Sequence, residues 1–306
     1  MLLLDSTTKD LSPWVQAFKE YLPEDEVVTW DEVDDPDKVQ VAVVWNHQTD
    51  LFNKIPNVRL VASLGAGVEH IVFDPLLPID VPVSKVISPH LSTPMSNYCI
   101  GAILYFHKQF DKYWRDKEEK RWHQEFDPER PIKIGILGLG SLGTDLALKL
   151  AALEFEVHGL SRSKKNIPSV NTYSEEELEL FLARVNVLVC MLPTTDQTNG
   201  MINKALLNKL PNNSFLINVG RGKQQVDDDI LSCLESGKLA GAFLDVFPEE
   251  PLPNTSPLWE HPKVFITPHI AVVTKIEAAV PQIVENYKRL KEGKELINLI
   301  DRAKGY

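Results

Sequence analysis

Basic residues, cysteine pairs and uninterrupted apolar runs are all in short supply in this chain, and each shortage closes off a class of function. Lys and Arg number 32 against 43 Asp and Glu, a formal net charge of −11. A broad nucleic-acid surface needs the opposite sign, because affinity for a polyphosphate comes from cationic side chains. An anionic membrane surface is disfavoured on the same ground. A small anionic ligand stays possible, since one local cationic pocket outweighs the global field. Cys99, Cys190 and Cys233 are odd in number, widely spaced and form no CxxC or Cys/His zinc pattern. The expectation is reduced thiols and no metal. The opening MLLLDSTTKD has no basic n-region and too short an apolar run for a signal peptide. The longest charge-free run, Val86 to His107, contains Pro89, His90, Ser92, Pro94, Ser96 and Asn97. Lipid would leave their polar groups unpaired, so the chain is expected to be cytoplasmic, without a membrane or nucleic-acid partner.

What is present is an α/β pattern. At 306 residues, 43% apolar and 25% charged, the chain has the size of about two globular domains. Short β-branched runs alternate with helical segments, the signature of parallel sheets. Strands are expected at Leu2–Leu4, Val27–Trp30, Val39–Trp45, Arg59–Leu64 and Val83–Ile87. A second series is expected at Ile132–Leu137, Glu156–Leu160, Val185–Met191, Ser214–Val219, Ala240–Val246 and Val264–Ile266. One long helix is expected from Pro94 to Glu119, a polar linker at Glu125–Pro131, and a last helix at Thr274–Glu292.

The sharpest motif is IKIGILGLGSLGTDLALKL, with Gly138, Gly140 and Gly143 in GxGxxG register between a strand and a helix. Gly138 permits the tight turn, Gly140 lets the backbone approach a pyrophosphate, and Gly143 allows close helix–strand packing. The helix N-terminus adds free N–H groups and the positive end of the dipole. An acidic residue about 20 positions on would bind the adenine ribose and repel a 2′-phosphate. Here Ser161 stands in that place, followed by Arg162, Ser163 and Lys164. Hydroxyls and cations at this position favour NADP(H) over NAD(H).

Three ionisable residues follow later strands: Arg221 in INVGRG, Glu250 in LDVFPEEPLP and His269 in ITPHIA. Carboxyl ends of parallel strands share one edge, so the three can converge on one bound molecule. Reducing a 2-oxo acid asks for such groups. An Arg holds the oxygens, a His donates a proton near neutral pH, and a carboxylate steadies the imidazole.

With these residues in place, the chain resembles the D-isomer-specific 2-hydroxyacid dehydrogenase family over essentially its whole length. The most specific stretches are LVCMLPTTDQTNGMINKALLNKLPNNSFLINVGRG, DVFPEEPLP and SPLWEHPKVFITPHIA. The resemblance implies two Rossmann-like, doubly wound parallel-sheet domains. The nucleotide domain, about residues 93–273, is inserted into a flavodoxin-like substrate domain of residues 1–92 plus 274–306. It implies that Arg221 binds and polarises substrate, that His269 donates the proton and that Glu250 pairs with His269. It extends the cofactor contacts to Ser141, Leu142, Leu192, Pro193, Val219, Gly220 and Asp245. It gives Leu64, Gly65, Ala66 and Gly67 to the substrate carboxylate, with Trp45 walling the pocket. The implied reaction is NADPH-dependent reduction of glyoxylate and hydroxypyruvate to glycolate and D-glycerate. Another 2-oxo acid, such as phenylpyruvate or a 3-phosphorylated substrate, and a nucleotide-sensing protein on the same scaffold are the alternatives. Family members are usually homodimers joined through the nucleotide domain, for which the apolar Pro94–Phe106 face, with Tyr105 and Trp114, is the candidate interface. One departure is Gly220, where the family pattern NxARG has alanine.

Overall fold

Strands buried on both faces set the architecture. The computed structural model describes residues 1–23, 26–87, 89–124, 126 and 129–302, with Pro89 and His90 by backbone alone. The chain divides into two compact units, Met1–His90 with Val273–Tyr306, and Leu91–Val272. Ala303–Tyr306 of the closing DRAKGY, and Glu125, Asp127 and Pro128 of the expected linker, lie outside the described residues.

The first unit is a five-stranded parallel sheet. Its strands are β1 (Leu2–Ser6), β2 (Val27–Thr29), β3 (Val41–Trp45), β4 (Leu60–Ser63) and β5 (Val83–Ser84), in the order β2-β1-β3-β4-β5. This is the flavodoxin-like doubly wound order. Leu3, Val28, Ala42, Val44, Val61 and Val83 send side chains into one core. The helix Ile276–Glu292 belongs here because its buried stripe recurs at helical spacing: Ala279, Val280, Ile283, Val284 and Tyr287. The Tyr287 hydroxyl donates to Glu26 (2.8 Å), and the Asn286 side chain closes on both backbone groups of Ile297.

The second unit is a seven-stranded parallel sheet. Its strands are β6 (Lys133–Leu137), β7 (Glu156–Leu160), β8 (Asn171–Tyr173), β9 (Val187–Cys190), β10 (Ser214–Asn218), β11 (Leu239–Leu244) and β12 (Val264–Ile266). They lie in the order β12-β11-β10-β9-β6-β7-β8. Counted from β6, this is the Rossmann order with one strand added at the β12 edge. Alternate residues feed opposite faces: Val187, Val189, Phe215 and Ile217 into one cluster, Leu188, Cys190 and Leu216 into the other. That two-sided burial is why these strands read as unbroken apolar runs.

Several expectations need correction. The long helix begins at Pro89, so Pro94 lies inside it, where proline costs one hydrogen bond but only in the second turn. It ends at His107. Gln109 turns left-handed (φ 56°) and a second helix runs Phe110–Glu118. The Pro94–Phe106 face is spent within the unit. Met95, Cys99, Ala102, Ile103 and Phe106 are buried in its core, and Phe106 stacks on Phe215 at 4.4 Å. Tyr105 packs edge-on against Phe265. The described part of the expected linker lies inside the second unit, as the expected bounds of the nucleotide domain imply. There Arg130 forks onto Asp111 (2.8 and 3.0 Å) and caps the Phe106 carbonyl. Strand β8 is additional to the expected set. Among the described residues, no helix is long and apolar enough to cross a membrane.

Candidate active site

Parallel strands deliver their following loops to one edge of the sheet. In the second unit that edge gathers the loops after β6, β7, β9, β10, β11 and β12, and the expected nucleotide and catalytic positions fall in these loops or at the helix start beside them. Val219, directly after β10, is buried, with its side chain in the core.

The glycine turn after β6 has the form its sequence suggests. Gly138 lies at φ +104°, and its N–H donates to the Leu160 carbonyl at 2.9 Å, which ties the turn to the end of β7. A Cβ on Gly143 would lie 1.9 Å from the Gly138 oxygen, so turn and helix meet backbone to backbone. Gly140 faces open space, with no described atom within 4 Å of where its Cβ would point. Behind it stands the N-terminus of the helix Ser141–Ala152, led by Ser141 and Leu142. An open cradle at a helix start fits a pyrophosphate.

The basic turn begins directly after β7. The Ser161 hydroxyl donates to the Ser163 carbonyl (2.9 Å), and Arg162, Ser163 and Lys164 are exposed. Lys164 leans toward Glu177 at 3.4 Å. Lys165, which the sequence reading left out, donates to the Leu139 carbonyl at 2.5 Å and clamps the basic turn onto the glycine turn. Its position in SRSKK was visible, but its target is a backbone oxygen that no residue pattern announces.

Arg221 follows β10 in a loop held by amides. Asn218 accepts the Gly220 N–H (3.1 Å) and donates to Gln225 (2.7 Å). Arg221 Nη1 folds back to the Gly220 carbonyl at 2.7 Å. Gly222 then touches the next loop so closely that a Cβ would lie 1.8 Å from the Phe247 carbonyl carbon. The Phe247 N–H donates to Glu250 (2.9 Å), and the other Glu250 oxygen meets His269 Nδ1 at 2.7 Å. The three expected catalytic residues are thus brought together. Burial works against ionising Glu250. The His269 hydrogen bond, the Phe247 N–H and the charges of His269 and Arg221 outweigh it, holding the carboxyl below its ordinary range. His269 and Glu250 stay 38% and 34% exposed, so the pair is open to a ligand.

Asp245, expected at the nucleotide, directs its carboxylate to the turn carrying His269. It accepts from the Thr267 hydroxyl (2.6 Å) and from the N–H groups of Ile270 (2.8 Å) and Ala271 (2.9 Å). The His269 N–H donates to the Asp245 carbonyl (2.8 Å). His269 is thereby held at φ +55°, a region few residues other than glycine adopt. The Tyr98 hydroxyl bonds Thr267 in turn. Neither Tyr98 nor Thr267 was foreseen as part of the site.

In the first unit, Trp45 ends β3 and the Leu64–Gly67 loop follows β4. Gly65 presses on the indole, where a Cβ would lie 2.7 Å from Trp45 Cζ3. The Leu64 N–H is bonded to the Val44 carbonyl (3.1 Å) and the Gly65 N–H to the Ser63 hydroxyl (3.2 Å). Ala66 and Gly67 are left as the loop's N–H groups with no acceptor among the described residues. No group of three or more His, Cys, Asp or Glu among the described residues could hold a metal ion.

Residues 100–271 match the family described as D-isomer specific 2-hydroxyacid dehydrogenase, NAD binding domain. Glyoxylate/hydroxypyruvate reductase A of Escherichia fergusonii is 38% identical, over 100% of this chain and 99% of that protein. A D-isomer specific 2-hydroxyacid dehydrogenase from Xanthobacter autotrophicus Py2, solved with NADPH and MES, superposes with a TM-score of 0.92 at 36% identity, covering 100% of this chain and 99% of that one. The NADPH-dependent glyoxylate/hydroxypyruvate reductase of Sinorhizobium meliloti, solved with NADP and sulfate, gives 0.91 at 37%, covering 100% and 99%.

Proposed function

The chain belongs to the D-isomer specific 2-hydroxyacid dehydrogenase family, and from that premise we propose that it reduces small 2-oxo acids with NADPH, taking glyoxylate to glycolate and hydroxypyruvate to D-glycerate. The observation that carries the reading is the 2.7 Å bond between Glu250 and His269 beside the Arg221 loop. Bound NADPH supplies the hydride that reaches the carbonyl carbon. Arg221 holds the substrate's oxygens and offsets the charge growing on the carbonyl oxygen. Glu250 occupies Nδ1 of His269, so Nε2 is the nitrogen that gives the proton to that oxygen. The N–H groups of Ala66 and Gly67 bind the substrate carboxylate, with Trp45 as the neighbouring wall.

NADPH is preferred over NADH because Ser161, Arg162 and Ser163 stand where a carboxylate would repel the 2′-phosphate. The relatives solved with NADPH and NADP support this. The protein acts as a homodimer through the second unit. Trp114, Trp122 and Phe126 are exposed there, at 60%, 97% and 105% of their full surface, and take the place of the buried Pro94–Phe106 face as the apolar contact.

The test is NADPH oxidation on adding glyoxylate, hydroxypyruvate, phenylpyruvate or 3-phosphohydroxypyruvate. Turnover is expected to be best with the first two, and D-glycerate is the expected product of hydroxypyruvate. No oxidation with any of the four would make the chain a binding protein. Faster turnover of phenylpyruvate would move the substrate class.

A further inference from the structure

Gln224 is fully buried, yet it is polar and lies just beyond the catalytic arginine. A carboxamide offers two acceptor sites and two donors, and here all four are engaged. Its oxygen accepts the Arg221 backbone N–H at 3.0 Å and the Cys190 thiol at 3.2 Å. Its nitrogen donates to the carbonyls of Leu192 at 2.6 Å and Pro193 at 3.0 Å. The thiol is a weak donor, pushed up to about 12 by burial, and stays protonated. One side chain therefore ties the end of β9 and the turn after it to the backbone of Arg221.

Gly220 bears on the same group. A Cβ there would lie 2.5 Å from the Gln224 oxygen and 2.9 Å from the Leu192 oxygen. Those are the oxygen that grips Arg221 and the oxygen that anchors the amide. A methyl would wedge against both. Gly220 has no left-handed backbone to explain it, so the glycine is accounted for by the carboxamide that fills its side-chain space.

We propose that Gln224 is a positioning residue that sets the Arg221 backbone for substrate, and that Gly220 is glycine to admit it. The inference rests on the reading of Arg221 as the group that holds the 2-oxo acid. A buried, saturated amide defines one geometry, and losing it frees the arginine loop to drift from its place beside Glu250.

The experiment is a set of variants assayed with glyoxylate and NADPH, alongside NADPH binding by fluorescence and a thermal melt. Gln224→Ala is expected to raise the KM for glyoxylate about tenfold with a smaller change in kcat. Gly220→Ala, which keeps the amide but crowds it, is expected to raise KM in the same direction and decides the matter if Gln224→Ala does not fold. Added to Arg221→Ala, Gln224→Ala is expected to cost nothing further in kcat/KM, because it acts through that arginine. A KM within about twofold of wild type in the folded Gln224→Ala or Gly220→Ala enzyme overturns the proposal. So does a Gln224→Ala loss that multiplies the Arg221→Ala loss. If Arg221→Ala itself leaves KM unchanged, the role given to the arginine falls first, and the proposal with it.

Discussion

Gly222 and Phe247 meet backbone to backbone, with room for no side chain: a Cβ on Gly222 would overlap the Phe247 carbonyl at 1.8 Å. That contact joins the loop of Arg221 to the loop of Glu250, since the Phe247 N–H is itself bound to Glu250. Gly222→Ala must push the two loops apart. A displacement of about 1 Å at a catalytic group costs on the order of a hundredfold in rate, and a loss of that size in kcat/KM is expected. NADPH affinity should hold, because the glycine turn after β6 is untouched. A Gly222→Ala enzyme with wild-type kcat/KM would show that the contact does not position Arg221.

The Glu250–His269 pair carries a pH signature in stability. Desolvation opposes ionisation of Glu250, but its bonds to His269 and Phe247 and the nearby Arg221 charge prevail and lower its pKa below the usual 4.5. A carboxyl with a lowered folded-state pKa stabilises the fold fully above 4.5 and loses that contribution as pH falls through the lower value. Glu250→Gln is therefore expected to melt below wild type at neutral pH, with the gap closing as the solution is acidified past the carboxylate range. Melting curves across pH check it. A gap that widens on acidification contradicts the assigned cause.

Much of this molecule was legible in its residues, and the exceptions share a cause. Apolar runs such as VNVLVCML announced the parallel strands because two-sided burial leaves few polar positions. The β8 strand escaped because it is three residues long, edge-placed and polar, with only Tyr173 buried. The break at Gln109 escaped because no glycine or proline marks it. In the site, Arg221, Glu250 and His269 stood out because ionisable residues after apolar strands are rare enough to notice. Gln224, Thr267, Tyr98 and Lys165 did not. Each acts on a backbone group or a second side chain brought close only by the fold, and residue type alone does not encode that.

Cofactor choice should respond to single charges around the turn after β7. Ser161→Asp puts a carboxylate where the 2′-phosphate is proposed to sit and is expected to raise the KM for NADPH about tenfold or more while improving NADH. The ion pair of Lys164 with Glu177 adds a subtler expectation. Both side chains are substantially exposed, at 61% and 32%, so the pair is weak and competes with phosphate for the lysine. Glu177→Gln should tighten NADPH about two- to fivefold and leave NADH unchanged. Equal effects on both nucleotides would place Lys164 away from the 2′-phosphate.

The first unit should control substrate size. Gly65 lies against the Trp45 indole, and an added methyl would meet Cζ3 at 2.7 Å and the Thr274 hydroxyl at 3.2 Å. His70 lies 4.8 Å from the ring and the Lys9 ammonium 5.1 Å over it, contacts that any shift of the indole would disturb. Gly65→Ala is thus expected to displace the Ala66–Gly67 amides and raise the KM for glyoxylate, with NADPH affinity unchanged. Removing the wall instead of the glycine has the opposite consequence for bulk. Trp45→Ala should lose efficiency with glyoxylate, which no longer fills its pocket, and gain it with phenylpyruvate, whose ring takes the indole's space. The kcat/KM ratio of the two acids is the measurement. A ratio unmoved by Trp45→Ala would mean that the indole only supports the loop behind it and does not touch substrate.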